Sequence, residues 1–276
     1  MADFFNRVAA LNIDGKIFRY DLANDERFQI EFNTEFDIAK LSNSATIIIY
    51  NVNDETIELA RPKINGKTKE FKLVTLEAGY KNNFGIVLAG EIYDSKVTKN
   101  GIDRILELKA GGNLSKFGNF PINKTYNKKN TSYIVKDILQ MSGFDSGGII
   151  PEKEILYTSI VIKDLREGLK RLAKDSESEL YISNNAIYFK KPDASNEVVN
   201  LNFTSGLLQE PEKTDLGYNV KCLFNYRILQ GNKIIVKANK DYTLKVTRGK
   251  HNFNVSGQSI TEFEGRSEER RVGKEC

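Results

Sequence analysis

Carboxylate pairs are the first residues in this sequence that could do chemistry, because two acidic side chains flanking a glycosidic bond can act as general acid and base. Such pairs occur at Asp25-Glu26, at Asp54-Glu55 and at Glu177 with Glu179. Each pair lies at a predicted turn or helix start, where acidic residues stabilise the local backbone. Nothing selects one pair as the acid/base couple of a hydrolase, so we assign no catalytic residue.

Histidine and cysteine are too few for the common metal and nucleophile sites. His251 is the one histidine, which excludes a metal site with paired histidine ligands. A Ser-His-Asp triad would have to use this residue as its base. His251 lies in Gly249-Lys-His-Asn-Phe, which we interpret as an exposed polar turn. Cys222 and Cys276 give no disulfide framework, and Cys222 lies among strand residues as a small core residue. A G-x-S-x-G elbow and a Gly-rich nucleotide loop are also missing, so we expect no metal ion and no cofactor.

Length and charge indicate a folded chain with a substantial core. The 276 residues exceed one average domain, and 40% of them are hydrophobic. The net charge of +4 is too small to indicate nucleic-acid binding. Asp3, Asn6 and Arg7 interrupt the apolar N-terminus, which argues against a signal peptide. The longest apolar run, 45–50, is too short to span a bilayer, so we expect a soluble protein made in a cytoplasm.

Residues 1–112 predict a β domain with one short helix. Asn53 is expected to cap this helix, which ends at Ala60. The Ile-rich run at 45–50 is typical of a strand buried on both faces. Strands at regular spacing predict a small β-barrel or sandwich. The first strand region, 11–20, contains a turn at Asp14-Gly15, and the second, 28–36, has Phe28, Ile30, Phe32 and Phe36 on one face. Further strands are expected at 45–50, 71–78, 84–97 and 102–108.

Residues 113–196 predict an α/β module. The polar, Lys-rich stretch 113–130 is interpreted as a linker. Thr131 or Ser132 is expected to cap a helix that ends at Gly143. A second helix follows at 163–176, and then a hairpin with its turn at Asn184-Asn185. The apolar stripes of the two helices are Ile134, Val135, Ile138 and Leu139, and Leu165, Leu169, Leu172 and Ala173.

Residues 197–265 predict a second β-barrel. Tyr218–Ile228 and Lys233–Ala238 are expected to form a hairpin around the turn Gln230-Gly231-Asn232. Further strands are expected at 197–203, 242–246, 253–255 and 258–263. Because side chains alternate along a strand, we expect Val220, Cys222 and Phe224 to face the core, and Lys221 and Asn225 to face solvent or a neighbouring subunit.

The last eleven residues, Arg266 to Cys276, have the sequence RSEERRVGKEC. This string matches one reading frame of a common sequencing adaptor. We interpret it as an artefact of gene assembly and exclude it from fold reasoning. The natural C-terminus is then expected to be missing from the sequence.

Two sets of motifs resemble a known family. In the second half they lie between Gly206 and Ala238, at Gly206, Leu207, Pro211, Glu212, Thr214, Gly217, Val220, Cys222, Leu223, Asn225, Arg227, Ile228 and Gly231. In the first half they are Ile47-Ile-Ile-Tyr-Asn-Val before a short helix, Leu76-Glu-Ala-Gly-Tyr and Leu88-Ala-Gly-Glu-Ile. Taken in this order, they resemble the hub proteins of phage baseplates, the late-control protein D group.

The resemblance implies a mainly β (α+β) fold with two small β-barrel domains of the tail-tube type, 1–112 and 197–265, and an inserted α/β module, 113–196. It implies a structural protein with no enzymatic activity. Such a protein would form a homotrimer whose six barrels make a ring that matches the sixfold tail tube. The ring would join the tube to the spike, in the virion of a phage or a related contractile injection system.

The expected partners are two further copies of the chain, the tail tube protein, the spike protein and the tape-measure protein, with no specific nucleic acid and no membrane insertion. Assembly is expected in the host cytoplasm. Two alternatives stay open: a tail-associated cell-wall hydrolase whose catalytic part is missing, and a receptor-binding tail module or adhesin.

Overall fold

The computed structural model describes residues 6–65, 68–112 and 114–267. The first β unit, residues 7–111, contains β1 (Arg7–Ile13), β2 (Lys16–Asp21), β3 (Glu26–Arg27), β4 (Ile30–Asp37), β5 (Ser44–Tyr50), α1 (Asp54–Ala60), β6 (Lys63–Asn65), β7 (Thr68–Glu70), β8 (Lys72–Tyr80), β9 (Asn83–Asn100) and β10 (Asp103–Gly111). The α/β module, residues 114–190, contains α2 (Leu114–Asn119), β11 (Pro121–Asn130), α3 (Thr131–Ser142), β12 (Asp145–Ile150), β13 (Leu156–Asp164), α4 (Leu165–Asp175), β14 (Glu179–Ser183) and β15 (Ala186–Lys190). The second β unit, residues 198–267, contains β16 (Val198–Asn202), β17 (Glu212–Lys213), β18 (Tyr218–Leu223), β19 (Lys233–Lys237), β20 (Asp241–Asn254) and β21 (Ile260–Ser267).

One sheet runs through both β units. Its strand order is β17-β18-β21-β20-β4-β5-β10-β9-β8-β1-β2-β3, and β19 with β16 branches from β20. The two units meet where β4 pairs antiparallel with β20, which places Thr34 opposite His251. The mainly β class is confirmed. Within the described residues, however, the path of paired strands is open at β17 and at β3, so neither unit is the closed barrel that the sequence predicts.

The structure has three hydrophobic clusters, and each consists mainly of residues from one unit. The first β unit buries side chains such as Ile47, Leu76 and Leu106, the module buries the stripes of α3 and α4, and the second β unit buries Cys222 and Val236. Aromatic side chains cross between the β units. Phe224 and Phe253 pack in the first cluster, whereas Phe36 packs in the cluster of the second unit.

Turn and cap residues account for several element boundaries as expected. Asp14 and Gly15 both adopt positive φ and form the turn between β1 and β2. Asn53 Oδ1 accepts the amide of Thr56 at 2.9 Å, which confirms this residue as the cap of α1. Gly143 ends α3 with φ +63°. The cap of α3 is Asn130, one residue before the predicted position, because its side chain accepts the Tyr133 amide at 3.0 Å.

The stretch 113–130 is not a linker, contrary to the sequence-based prediction. It contains α2 and the ten-residue strand β11, which pairs antiparallel with β13 in a two-stranded ribbon. Most of β11 is exposed, so its polar, Lys-rich sequence suits an edge strand. Pro121 is tolerated because it is the first residue of the strand. The rest of the module is a β12-β15-β14 sheet covered by α3 and α4.

The predicted hairpin between 218 and 238 is wrong. β18 pairs with β17 and β21, whereas β19 pairs with β16 and β20. The segment between them leaves the sheet after Leu223 and crosses between two cores, since Phe224 packs in the first cluster and Ile228 in the third. The predicted alternation is confirmed: Val220, Cys222 and Phe224 are buried, whereas Lys221 and Asn225 are partly exposed.

Two burial predictions in the first unit are also wrong. The strand at 45–50 alternates between buried and half-buried residues, because Ile48 lies on the polar face of the sheet opposite Glu31 and Glu107. Phe28 precedes β4 and is 41% exposed, whereas Ile30, Phe32 and Phe36 are buried as expected.

The C-terminal segment 266–276 lies mostly outside the described residues. Arg266 and Ser267 belong to β21, opposite Lys245 and Leu244. No helix of the described chain combines the length and the apolar character needed to cross a bilayer.

Candidate assembly surface

The seam between the two β units consists of the paired strands β4 and β20. Residues 248–254 of β20 lie opposite residues 31–37 of β4 in an uninterrupted antiparallel register. The Phe32 and Phe253 rings stack across it, with centroids 5.0 Å apart and planes 7° apart. Phe224 meets the Phe253 ring edge-on at 4.8 Å. Backbone hydrogen bonds and aromatic packing therefore join the two units.

His251 is fully buried in the seam and does not lie in the exposed turn that the sequence predicts. Its Nδ1 lies 2.8 Å from Thr261 Oγ1, and its ring packs against Phe36 and Phe224 with centroids 5.0 and 5.3 Å away. Burial lowers the pKa of His251 to about 3, which a backbone hydrogen bond with Ile228 partly opposes. The imidazole is therefore neutral and structural.

Gly249 explains why the sequence suggested a turn here. A β-carbon at Gly249 would lie 2.6 Å from Phe36 Cζ, so the glycine makes room for that ring in an extended strand. The alternation of His251 and Phe253 on one side, with Lys250 and Asn252 on the other, was the signal for a strand.

The sheet face that points away from the cores carries paired charges. Lys221 and Lys250 contact Glu262 at 3.1 and 2.9 Å, and these lysines hold the pKa of the Glu262 carboxyl below its usual value, the Lys250 hydrogen bond most strongly. Arg248 Nε donates to Glu264 at 2.6 Å. The charges neutralise one another across the strands. The groove that they line, of about 570 Å³, has no excess of basic side chains: it contains Glu35, Asp37, Lys40, Glu212, Lys221, Arg248, Lys250, Glu262 and Glu264.

A polar junction, made by Asn43, Ser183, Asn196 and Gln230 with the side chains around them, fastens the module hairpin to both β units. Gln230 Nε2 donates to Asn43 Oδ1 and, at 3.4 Å, to the Ile182 carbonyl. Asn43 Nδ2 in turn donates to Ser183 Oγ at 3.4 Å. One amide side chain thus connects residues from all three units.

Lysines complete this junction. Lys190 Nζ donates to Asn196 Oδ1 at 2.7 Å, and burial lowers its pKa. Lys245 Nζ donates to Glu179 at 2.7 Å and to the Pro192 carbonyl at 2.6 Å. Sequence reasoning identified none of these residues as functional. The sequence predicts Gln230 in a tight turn, and nothing local indicates that its neighbours are distant in sequence.

The carboxylate pairs considered from the sequence are dispersed and bound to bases. Asp25 contacts Arg27 at 2.8 Å, Asp54 contacts Arg104 at 2.5 Å, and Glu177 contacts Lys153. Burial raises the pKa of the Cys222 thiol, which stays protonated. The described residues contain no group of three or more His, Cys, Asp and Glu side chains that could hold a metal ion.

Comparisons with known proteins agree on one class. The family model described as baseplate hub gp41 matches residues 8–244. No curated protein is significantly similar to the sequence.

Three solved structures show the same fold at low sequence identity. A tail protein from Neisseria meningitidis aligns with TM-score 0.64 and 10% identity over 96% of this chain and 97% of that chain.

The 43 kDa tail protein of prophage MuSo2 from Shewanella oneidensis aligns with TM-score 0.63 and 8% identity, over 94% and 98% of the two chains. An Escherichia coli component of the type VI secretion system, described as structurally similar to T4 tail proteins gp27 and gp5, aligns with TM-score 0.61 and 12% identity, over 96% and 79%. Because the family match extends over most of the sequence, the chain belongs to the baseplate hub gp41 family and is a structural protein of the phage tail.

Proposed function

We propose that three copies of this chain form a ring in the baseplate, which joins the tail tube on one side to the spike on the other. Membership of the baseplate hub gp41 family supports this role. With two β units in each chain, three copies would supply six units, which suits the sixfold tube that the family resemblance implies.

The seam is the single observation that supports the ring best. Two β units of one chain already share a sheet, strand against strand, through β4 and β20. A ring repeats this contact between neighbouring chains. The open ends of the sheet at β17 and β3 leave unpaired strand edges, which soluble proteins normally cover.

We further propose the domain boundaries 1–112, 113–196 and 197–265, because each of the three hydrophobic clusters consists mainly of residues from one of these ranges. In the ring the α/β module lies on the outside, where it does not interrupt the shared sheet. The partners are the tail tube protein, the spike protein and the tape-measure protein, and assembly takes place in the host cytoplasm before the hub enters the virion.

The protein is proposed to act without catalysis. The matching family is structural, and the carboxylates that could form an acid/base pair are instead bound to Arg27, Arg104, Lys153 and Lys245. Zymography of the full-length gene product on cell-wall substrate tests this point. A lytic band would favour the hydrolase alternative.

Light scattering on the purified protein tests the ring. We expect the mass of a trimer, either for the protein alone or after the spike protein is added. A chain that stays monomeric under both conditions would rule out the hub role. Binding of the isolated chain to host cells would favour the adhesin alternative.

A further inference from the structure

The two longest strands, β9 and β20, have the same arrangement of neighbours. The first half of β9 pairs with β8, and the first half of β20 pairs with β19. On the other edge, β10 pairs with β9 and β21 with β20. In both strands one extra residue interrupts the register with this second neighbour: Tyr93 in β9 and Thr247 in β20. The pairing with the first neighbour stops just before that residue, at Ile92 in β9 and at Lys245 in β20. The two units are therefore built on the same strand pattern.

Burial agrees with this equivalence once Tyr93 is matched to Thr247. Ile92 then corresponds to Val246, opposite Ala110 and Gly265 respectively, and both are fully buried. On the next strands, Leu108 corresponds to Phe263, Ile47 to Val220 and Ile49 to Cys222, and all six side chains are buried. The sequences share no repeat, but the positions have the same environments.

The two strands differ in what lies beside their second halves. Residues 248–254 of β20 pair with β4. The corresponding residues 94–100 of β9 pair with β10 alone, since no strand of the described chain lies along their other edge. His251 is completely buried, whereas its counterpart Val97 is 37% exposed. An eight-residue strand edge, 93–100, is thus left open at the position where the other unit has a partner.

The segment 207–213 is the counterpart of β4. β4 pairs with β5 in the first unit, and 207–213 occupies the same edge of β18 through the Leu207–Cys222 bridge and the strand β17. By this register Glu212 corresponds to Asn33. The outer edge of β4 pairs with β20, but the path of the sheet ends at β17. The two open edges also have opposite net charge: residues 93–100 contain Asp94, Lys96 and Lys99, a net of +1, and residues 207–213 contain Glu210, Glu212 and Lys213, a net of −1.

We propose that residues 210–213 of one copy pair antiparallel with residues 97–100 of β9 in the next copy, as residues 31–34 pair with 251–254 in the β4–β20 seam within the chain. In the same register Thr98 of one copy lies opposite Glu212 of the other, as Asn252 lies opposite Asn33 within the chain. This inference rests on the proposed ring and names the strands that close it.

Cysteine cross-linking tests the pairing. Residues directly opposite in an antiparallel pair have β-carbons about 4.5–5.5 Å apart, close enough for a disulfide after small adjustment. In a full-length variant with Cys276→Ser, Thr98→Cys and Glu212→Cys, oxidation should convert most of the protein into covalently linked oligomers. The matched control carries Cys276→Ser, Thr98→Cys and Val198→Cys, where Val198 is exposed on the edge strand β16, and it should stay largely uncross-linked.

A charge variant gives a second readout. Thr98→Asp would place a carboxylate directly opposite Glu212 of the next copy and should raise the protein concentration needed for half-assembly at least tenfold. Ile102→Asp, at a hairpin tip residue that is 99% exposed and outside the pairing, should change it less than twofold. Circular dichroism on both variants checks that the chain is folded.

The outcomes separate the pairing from the ring. Oligomers of unchanged mass in light scattering, combined with no more cross-linking than in the control, would overturn the pairing and leave the ring in place. Cross-linking of the Thr98→Cys variant to the spike or tube protein, in place of a second copy of the chain, would also overturn the pairing. A protein that stays monomeric with its spike partner would overturn both.

Discussion

The seam joins the two β units to each other, whereas the polar junction joins the α/β module to both of them, and the two contacts differ in kind. The seam consists of backbone pairing between β4 and β20, filled with Phe32, Phe253 and a neutral His251. The junction holds the module hairpin by side-chain hydrogen bonds, with Gln230 at its centre. Apolar packing loses stability when volume is removed, whereas a buried polar network loses it when one partner is left unsatisfied. We therefore expect the seam to fix the fold as a whole, and the junction to fix the position of the module.

Removing a ring from the seam should have the largest effect. Phe253→Ala deletes a buried side chain that contacts Phe32 and Phe224, and should lower the free energy of unfolding by about 3–5 kcal/mol. Urea unfolding followed by circular dichroism measures this loss. Phe203→Ala, at a position 52% exposed, is the control and should change stability by less than about 0.5 kcal/mol. Equal losses in the two variants would contradict the assigned seam.

Acid should weaken the seam through His251. The unfolded chain takes up this proton near pH 6.5, whereas the folded chain does so only near pH 3, so stability falls as the pH drops through this interval. The slope should approach about 1.4 kcal/mol per pH unit. Urea unfolding between pH 7.5 and pH 5 measures it.

The control for the acid effect is His251→Gln, which should show a flat profile over the same range. The carboxyls of Asp14, Asp54 and Glu262 have lowered pKa values, and the stability that they contribute is lost only as the pH falls below about 4.5. A wild-type profile as flat as that of the variant would show that the histidine is not buried in the folded protein.

Truncation of the junction should have a smaller and more local effect. Gln230→Ala removes the side-chain donor to Asn43 Oδ1 and one donor to the Ile182 carbonyl, at a cost of about 1–3 kcal/mol. Hydrogen exchange should accelerate in the β14–β15 hairpin and stay unchanged in β4 and β20. Equal acceleration in both regions would mean that the two contacts form one cooperative unit.

The charged face should contribute least. Lys221 is partly exposed and contacts Glu262 at 3.1 Å, and such pairs contribute roughly 0–1 kcal/mol. Lys221→Asp should therefore leave the fold intact, with an unfolding midpoint close to that of the wild type. Cys222→Asp, one residue further along β18, buries a carboxylate without a partner and should cost several kcal/mol. Similar losses in these neighbours would mean that β18 does not alternate as described.

Local patterns were predictable where local forces decide the structure. Asn53 as a helix cap, Gly143 as a helix end and the apolar stripe of α4 depend on residues a few positions apart, and the structure has them as expected. The predicted class and the alternation along β18 agree for the same reason.

Errors arose where a distant segment decides. Gly249 is interpreted from the sequence as part of a turn. It is a glycine because the Phe36 ring packs against its backbone, and Phe36 lies far away in the sequence. The exposed Lys-rich strand β11 is held by β13 and has no apolar pattern of its own. The polar junction is the extreme case, since Asn43, Ser183 and Gln230 come from three separate units.

The pairing of β4 with β20 also sets the order of folding. β4 leaves the ribosome long before its partner strand, because residues 248–254 lie about 200 residues further along the chain. Contacts so distant in sequence form slowly, because a long loop must close first. Until then one edge of β4 is unpaired and Phe36 lacks the core that will bury it. The nascent first β unit therefore exposes a strand edge and aromatic surface. Both favour aggregation unless a chaperone binds the unit first.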